Sequence, residues 1–182
     1  GSNFFQACLN DPYQGTTMAK FAANELGVTS VATIYNTGDD YSIGCNDAFV
    51  EQCNELGVKV LSQEGYADGD VDFNAQLTSI IASGAQAIFC PNYYQDDGMI
   101  VTQARTLGFT GSILGVDGWT NTHEYTDPEN LYDCYFCTSF AIIDDEKINE
   151  FVDAYRAEND KDPGNFEALG YDAAMVLLNG IK

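Results

Sequence analysis

Acidic and aromatic side chains gather in four short polar stretches: Asp39-Asp40-Tyr41, Asp68 to Asp72, Asn92-Tyr93-Tyr94 and Asp117-Gly118-Trp119. A carboxylate beside aromatic rings suits the capture of a small cationic group. The acid makes a charge-assisted hydrogen bond and the rings form a wall whose hydroxyls orient the ligand. Asp117 is the clearest case, because Gly115 and Gly118 flank it and the chain's single tryptophan, Trp119, stands two residues away. Plainer uses exist for each group. Asp39 and Asp40 favour a helix N-terminal dipole, Asp117-Gly118 is ordinary turn chemistry, and Tyr93 and Tyr94 can cap a core.

Other chemistries fail on spacing. Asp68, Asp70 and Asp72 start like a calcium loop, but Phe73 stands where glycine is required and Ser79 where glutamate is required. His123 is the only histidine and lies in a polar loop. A zinc site needs several nitrogen or sulfur ligands, and a serine triad needs a histidine partnered with an elbow motif. A phosphate-accepting receiver needs a late lysine, yet none lies between Lys59 and Lys147. No enzyme, cofactor or metal site is expected. The six cysteines are expected to be structural thiols. Cys45 and Cys53 fall two turns apart on one helix, roughly 12 Å by helical rise and too far to bridge. Cys134 and Cys137 fall on one strand and should face opposite sides of a sheet.

The elements that must hold these groups alternate along the chain. Helices are expected over about residues 15–26, 41–56, 73–82 (with Asp72 as N-cap), 96–107, 145–159 and 166–181. Strands are expected over 31–35, 58–61, 87–90, 112–115 and a long run at 132–140. Short continuous apolar strands between amphipathic helices predict an α/β fold: a doubly wound, mostly parallel sheet with helices on both faces. Ligands in such folds bind beyond the carboxyl ends of the strands, where the strand order reverses. The loops carrying Tyr41, Tyr93 and Asp117 all follow strand ends.

Composition bounds the partners. With 182 residues, 45% of them hydrophobic and 13% aromatic, the chain can bury one substantial core. Its net charge of -21, from 7 Lys+Arg against 28 Asp+Glu, repels phosphate backbones and anionic lipid and argues against nucleic acid. No apolar run approaches the ~20 residues a membrane-spanning helix needs. Gly1-Ser2 reads as an expression scar.

Six segments occur in an order and spacing that resemble one family. They are Asn10-Asp11-Pro12-Tyr13-Gln14-Gly15, Gly38 to Gly44, Asp72 to Leu77, Asn92-Tyr93-Tyr94, Gly115 to Trp119 and Ala168 to Ala174. Together they resemble the branched-chain amino-acid-binding proteins of ABC importers, of the type I periplasmic-binding fold. The resemblance implies one C-terminal lobe over residues 3–182, with the N-terminal lobe and the final return segment absent. It implies an extracytoplasmic receptor that closes its two lobes on a leucine-, isoleucine- or valine-like amino acid and delivers it to ABC permease subunits. By motif, Tyr41 and Tyr93 become cleft tyrosines, Asp117 the partner of the α-ammonium, and Phe166 an aromatic that closes over the ligand. Asp11, Gln14, Tyr94 and Trp119 become rim or supporting residues. The family often has glutamate at the position of Asp117. A ligand-binding ectodomain of a sensor is the alternative use of the same fold. Half a cleft is expected to bind little by itself.

Overall fold

The computed structural model describes residues 6–181, so Gly1-Ser2 lies outside the described residues. The described chain divides into two compact units, residues 10–137 and residues 6–9 with 138–181.

The larger unit is built on five parallel strands, β1 (Ser30–Asn36), β2 (Lys59–Tyr66), β3 (Ala87–Phe89), β4 (Ser112–Gly115) and β5 (Cys134–Phe136), in the order β2-β1-β3-β4-β5. The direction of winding reverses between β1 and β3, which opens a crevice beyond their carboxyl ends. Successive strand residues point to opposite faces. Ala32, Ile34, Ile88 and Ile113 therefore meet Leu77 and Ile80 of α3 (Asn74–Ser83) and Ile100, Val101 and Ala104 of α4 (Tyr94–Thr106). On the other face Val31, Phe89 and Leu114 meet Met18 and Ala22 of α1 (Asp11–Asn24) and Phe49 and Cys53 of α2 (Asp40–Leu56). Phe49 stacks on Phe89 with ring centroids 4.0 Å apart. This is the doubly wound α/β sheet that the strand pattern predicts.

Three elements differ from the sequence reading. The first helix begins at Asp11, capped by the Asn10 side chain and with a proline in its first turn, so Asp11 and Gln14 are first-turn residues of α1. β2 is an edge strand that continues to Tyr66: Ser62, Gln63 and Glu64 carry on the ladder with β1, and a search for apolar runs stops at Leu61 before them. The apolar run at 132–140 yields only the three residues of β5, since β4 offers Ile113, Leu114 and Gly115 as its only ladder partners. All six cysteines are free. Cys134 packs with the α3–α4 core and Cys137 with the α1–α2 core, on opposite sides of the sheet.

The smaller unit contains α5 (Glu146–Asn159), capped by Asp145, and α6 (Asn165–Ile181). Phe151 contacts Phe140 and Tyr171, with centroids 5.7 Å and 5.0 Å away. These rings line a cavity of about 540 Å³ with Lys147, Glu150 and Asp172.

Candidate functional site

Three loops at the carboxyl edge of the sheet bring together most of the residues that the sequence singled out. Asp39 ends the loop after β1 and caps α2, accepting from the backbone N–H groups of Tyr41 at 3.3 Å and Ser42 at 3.4 Å. This cap fixes Tyr41 in the first turn of α2. Tyr93 follows β3 and stands at the N-terminus of α4. The two rings stack with centroids 5.1 Å apart and planes 26° apart. Because one tyrosine follows β1 and the other β3, the pair straddles the crevice.

Asp117 opens a single 3-10 turn after β4 and is only 7% exposed. Its Oδ1 accepts the Tyr41 hydroxyl at 2.6 Å, and its backbone N–H donates to Gln14 Oε1 at 2.9 Å. The Gly118 N–H in turn donates to the Tyr41 hydroxyl at 3.1 Å. Burial, then the hydrogen bond to Asp117, push the Tyr41 phenol far above its ordinary value. Tyr41 therefore keeps its proton and Asp117 is the acceptor. A carboxylate with one oxygen satisfied and little contact with water is suited to take a cationic group on the other.

The surroundings are acidic. Burial, then the charges of Asp117 and Asp39, raise the Asp11 carboxyl. Burial, then Asp39, Asp117 and Asp11, raise the Tyr93 hydroxyl. A cation entering here would relieve that mutual repulsion.

Glycine is required twice in the Asp117 loop. A Cβ on Gly115 would overlap the Trp119 indole, and one on Gly118 would overlap the Asn92 carbonyl oxygen. Trp119 is 3% exposed, lies in the α3–α4 core and donates from Nε1 to the Cys90 carbonyl at 2.8 Å. It braces the loop from beneath. Gln14, on α1, holds the loop from the opposite face of the sheet. Tyr94 pairs with Tyr125, centroids 5.2 Å apart. Phe166 belongs to the smaller unit, as the second residue of α6, and is 51% exposed. The acids of the loop after β2 serve local turns: Asp70 accepts from the Ala67 N–H, and Asp72 from the Asn74 N–H, one residue off the expected cap.

Sequence reasoning passed over a buried polar set behind the tyrosines, formed by Asn36, Ser42, Asn92 and Asp97. Their partners lie as many as 58 residues away in the chain, a separation that no local pattern signals. Asp97 is fully buried, and its Oδ2 has no hydrogen-bond partner. Burial pushes its carboxyl well above the ordinary 3.8; the Asn92 hydrogen bond opposes this and the Asp96 charge adds to it. The folded chain then binds this proton more tightly than the unfolded chain, so Asp97 costs stability increasingly as pH rises above ~4. Asp97→Asn should therefore gain stability relative to the parent on going from pH 5 to pH 8, read as urea midpoints. A difference that does not change with pH would show that Asp97 titrates alike in both states.

Comparison with known proteins places the chain among binding proteins. A family model described as periplasmic binding protein matches residues 1–182. An amino acid binding protein of Pseudomonas aeruginosa is 37% identical over 117 residues, covering 64% of this chain and 31% of that protein. A Leu/Ile/Val-binding protein homologue of Brucella melitensis is 25% identical over 181 residues, covering 99% of this chain and 49% of that protein. The crystal structure of a leucine binding protein from Thermotoga maritima superposes with a TM-score of 0.89 at 36% identity, covering 96% of this chain and 51% of the other. The substrate binding protein of a branched-chain amino acid transporter from Streptococcus pneumoniae, solved with isoleucine, gives 0.88 at 30% identity, again covering 96% and 51%. The chain thus spans about half, or less, of the length of the curated relatives it matches.

Proposed function

This chain belongs to the periplasmic binding protein family, and on that premise we propose that it is part of a receptor for a small amino acid of the leucine, isoleucine or valine kind. The receptor closes a second lobe over the ligand and hands it to the permease of an ABC importer, outside the cytoplasm. The observation that carries this reading is the buried Asp117 carboxylate, hydrogen-bonded to Tyr41 beside the Tyr41–Tyr93 stack at the crevice. An α-ammonium group there is paired with the acid and shielded by the rings, and an unpaired buried charge is what such sites avoid. Asp39 and Asp11 reinforce the preference for a positive group at the same place. The role of Phe166 as a closing aromatic rests on the family resemblance alone.

Thermal unfolding of the full-length, two-lobe protein against the common amino acids tests this reading. A ligand at about 100 times its Kd should add roughly 2.7 kcal/mol of stability and raise the Tm in a dose-dependent way. No response to any branched-chain amino acid at millimolar concentration would refute it.

A further inference from the structure

We propose that Asn92 is the positioning residue of this site, the one buried side chain that sets the spacing between the three loops carrying Tyr41, Tyr93 and Asp117. Its Oδ1 accepts from the Asn36 N–H at 3.1 Å and from the Ser42 hydroxyl at 2.8 Å. Its Nδ2 donates to the Ile34 carbonyl at 3.2 Å and to Asp97 Oδ1 at 3.3 Å. The partners fix the amide's orientation, because a backbone N–H can only donate and a backbone carbonyl can only accept. Every hydrogen-bonding position of the side chain is used, at 1% exposure.

The consequence is geometric. The Oδ1 bonds tie Asn92 to the end of β1 and to Ser42, the neighbour of Tyr41. Ser42 Oγ also accepts from the same Asn36 N–H at 2.9 Å, so the end of β1 and the first turn of α2 are clamped together. The Nδ2 bond to Asp97 ties it to the first turn of α4, the helix that Tyr93 begins. The third loop meets the backbone of the same residue: Gly118 sits so close to the Asn92 carbonyl that no side chain fits between them. Tyr93 follows Asn92 directly in the chain. Thus the Tyr41–Tyr93 stack and the Asp117 turn are all referenced to one residue that is 1% exposed. Removing the side chain leaves the Asn36 N–H and the Ser42 hydroxyl with each other, and takes away the side-chain link between the first turn of α2 and the first turn of α4.

The role in ligand binding rests on the amino-acid reading above, so the test has an arm that needs no ligand. In the full-length protein, ring-to-ring nuclear Overhauser contacts between Tyr41 and Tyr93 should be present without ligand and lost in Asn92→Ala. Leucine affinity by calorimetry should fall about tenfold or more. Leu77→Ala, in the core of α3, serves as a control for stability loss: it should lower the Tm while keeping the ring contacts and an affinity within about twofold of the parent. Should Asn92→Ala fail to fold, Ser42→Ala removes one of the four Asn92 bonds together with the Asn36–Ser42 bond, and a weakening of the same ring contacts is expected. Retained contacts in Asn92→Ala, or in Ser42→Ala where that variant stands in, would overturn the proposal, as would an equal loss of contacts in Leu77→Ala. A parent protein that binds no amino acid would sink the amino-acid reading, and the ring contacts would still decide the role of Asn92.

Discussion

Asp117→Asn in the two-lobe protein is expected to weaken binding of leucine, isoleucine or valine by about two to three and a half orders of magnitude, with little change in the unliganded Tm. The size follows from leaving the ligand's ammonium buried without a counter-charge, which costs about 3–5 kcal/mol, at about 1.4 kcal/mol per decade of affinity. Asparagine keeps the shape of the side chain and an oxygen that can accept the Tyr41 hydroxyl, which now lies 2.6 Å from the carboxylate. Its backbone N–H still reaches Gln14. The substitution therefore removes charge and leaves the loop in place, whereas Asp117→Ala removes both. Similar losses in the two variants would assign the effect to the charge. Near-parental affinity in Asp117→Asn would mean that the ammonium is held elsewhere.

The second large effect is expected at Arg105, where the consequence is structural. Its Nε donates to the Asn130 carbonyl at 3.2 Å, Nη1 to those of Phe109 and Gly111 at 2.9 Å and 2.8 Å, and Nη2 to that of Tyr132 at 2.6 Å. The guanidinium also lies over the Tyr132 ring, 3.9 Å from its centroid. No carboxylate forms an ion pair with it among the described residues. The planar fork gathers four carbonyls from the turn after α4 and from the approach to β5, a segment with little regular structure of its own. Arg105→Ala should destabilise the protein by about 3 kcal/mol or more, as hydrogen bonds from a charged donor contribute about 1.5–3 kcal/mol each and some carbonyls regain water. Arg105→Lys, with a single compact ammonium, should recover less than half of that. Denaturant midpoints measure both, and limited proteolysis between Pro128 and Cys134 should accelerate in step. A loss below about 0.5 kcal/mol for Arg105→Ala would show that the segment is held by its apolar contacts.

The sheet was legible in the sequence because its central strands are buried on both faces. Val31 to Ile34, Ala87 to Phe89 and Ser112 to Gly115 carry uninterrupted buried residues, and each is announced by a preceding glycine stop or turn. The edges were harder to read. At β2 the polar run Ser62 to Glu64 interrupts the apolar residues on both faces of the strand, and at β5 the aromatic residues Tyr135 and Phe136 remain substantially exposed despite their strand-like composition. Trp119 is an intermediate case. The sequence leaves it as a rim or supporting residue, and only the fold shows how it supports: its indole finds a carbonyl partner and closes the core under Gly115. The acid and the two tyrosines could be placed at one sheet edge by topology. The asparagine behind them could not, because its four bonds join residues that only the folded chain makes neighbours.

The two glycines of the Asp117 loop also define where this scaffold can be re-engineered. Residues 115 and 118 leave no space for a side chain, and the turn between them is pinned by Trp119 below and Asn92 beside it. The acid is thus held on a short arm of fixed reach, with no slack that a library of loop sequences could exploit. Tyr93, 48% exposed and carried on a helix end, meets that arm through its stack on Tyr41, so a change of its ring reaches the acid by way of the Tyr41 hydroxyl. On the proposed amino-acid reading, variants at Tyr93 that keep an aromatic ring are the ones expected to alter ligand range while leaving the Tyr41–Asp117 hydrogen bond in place.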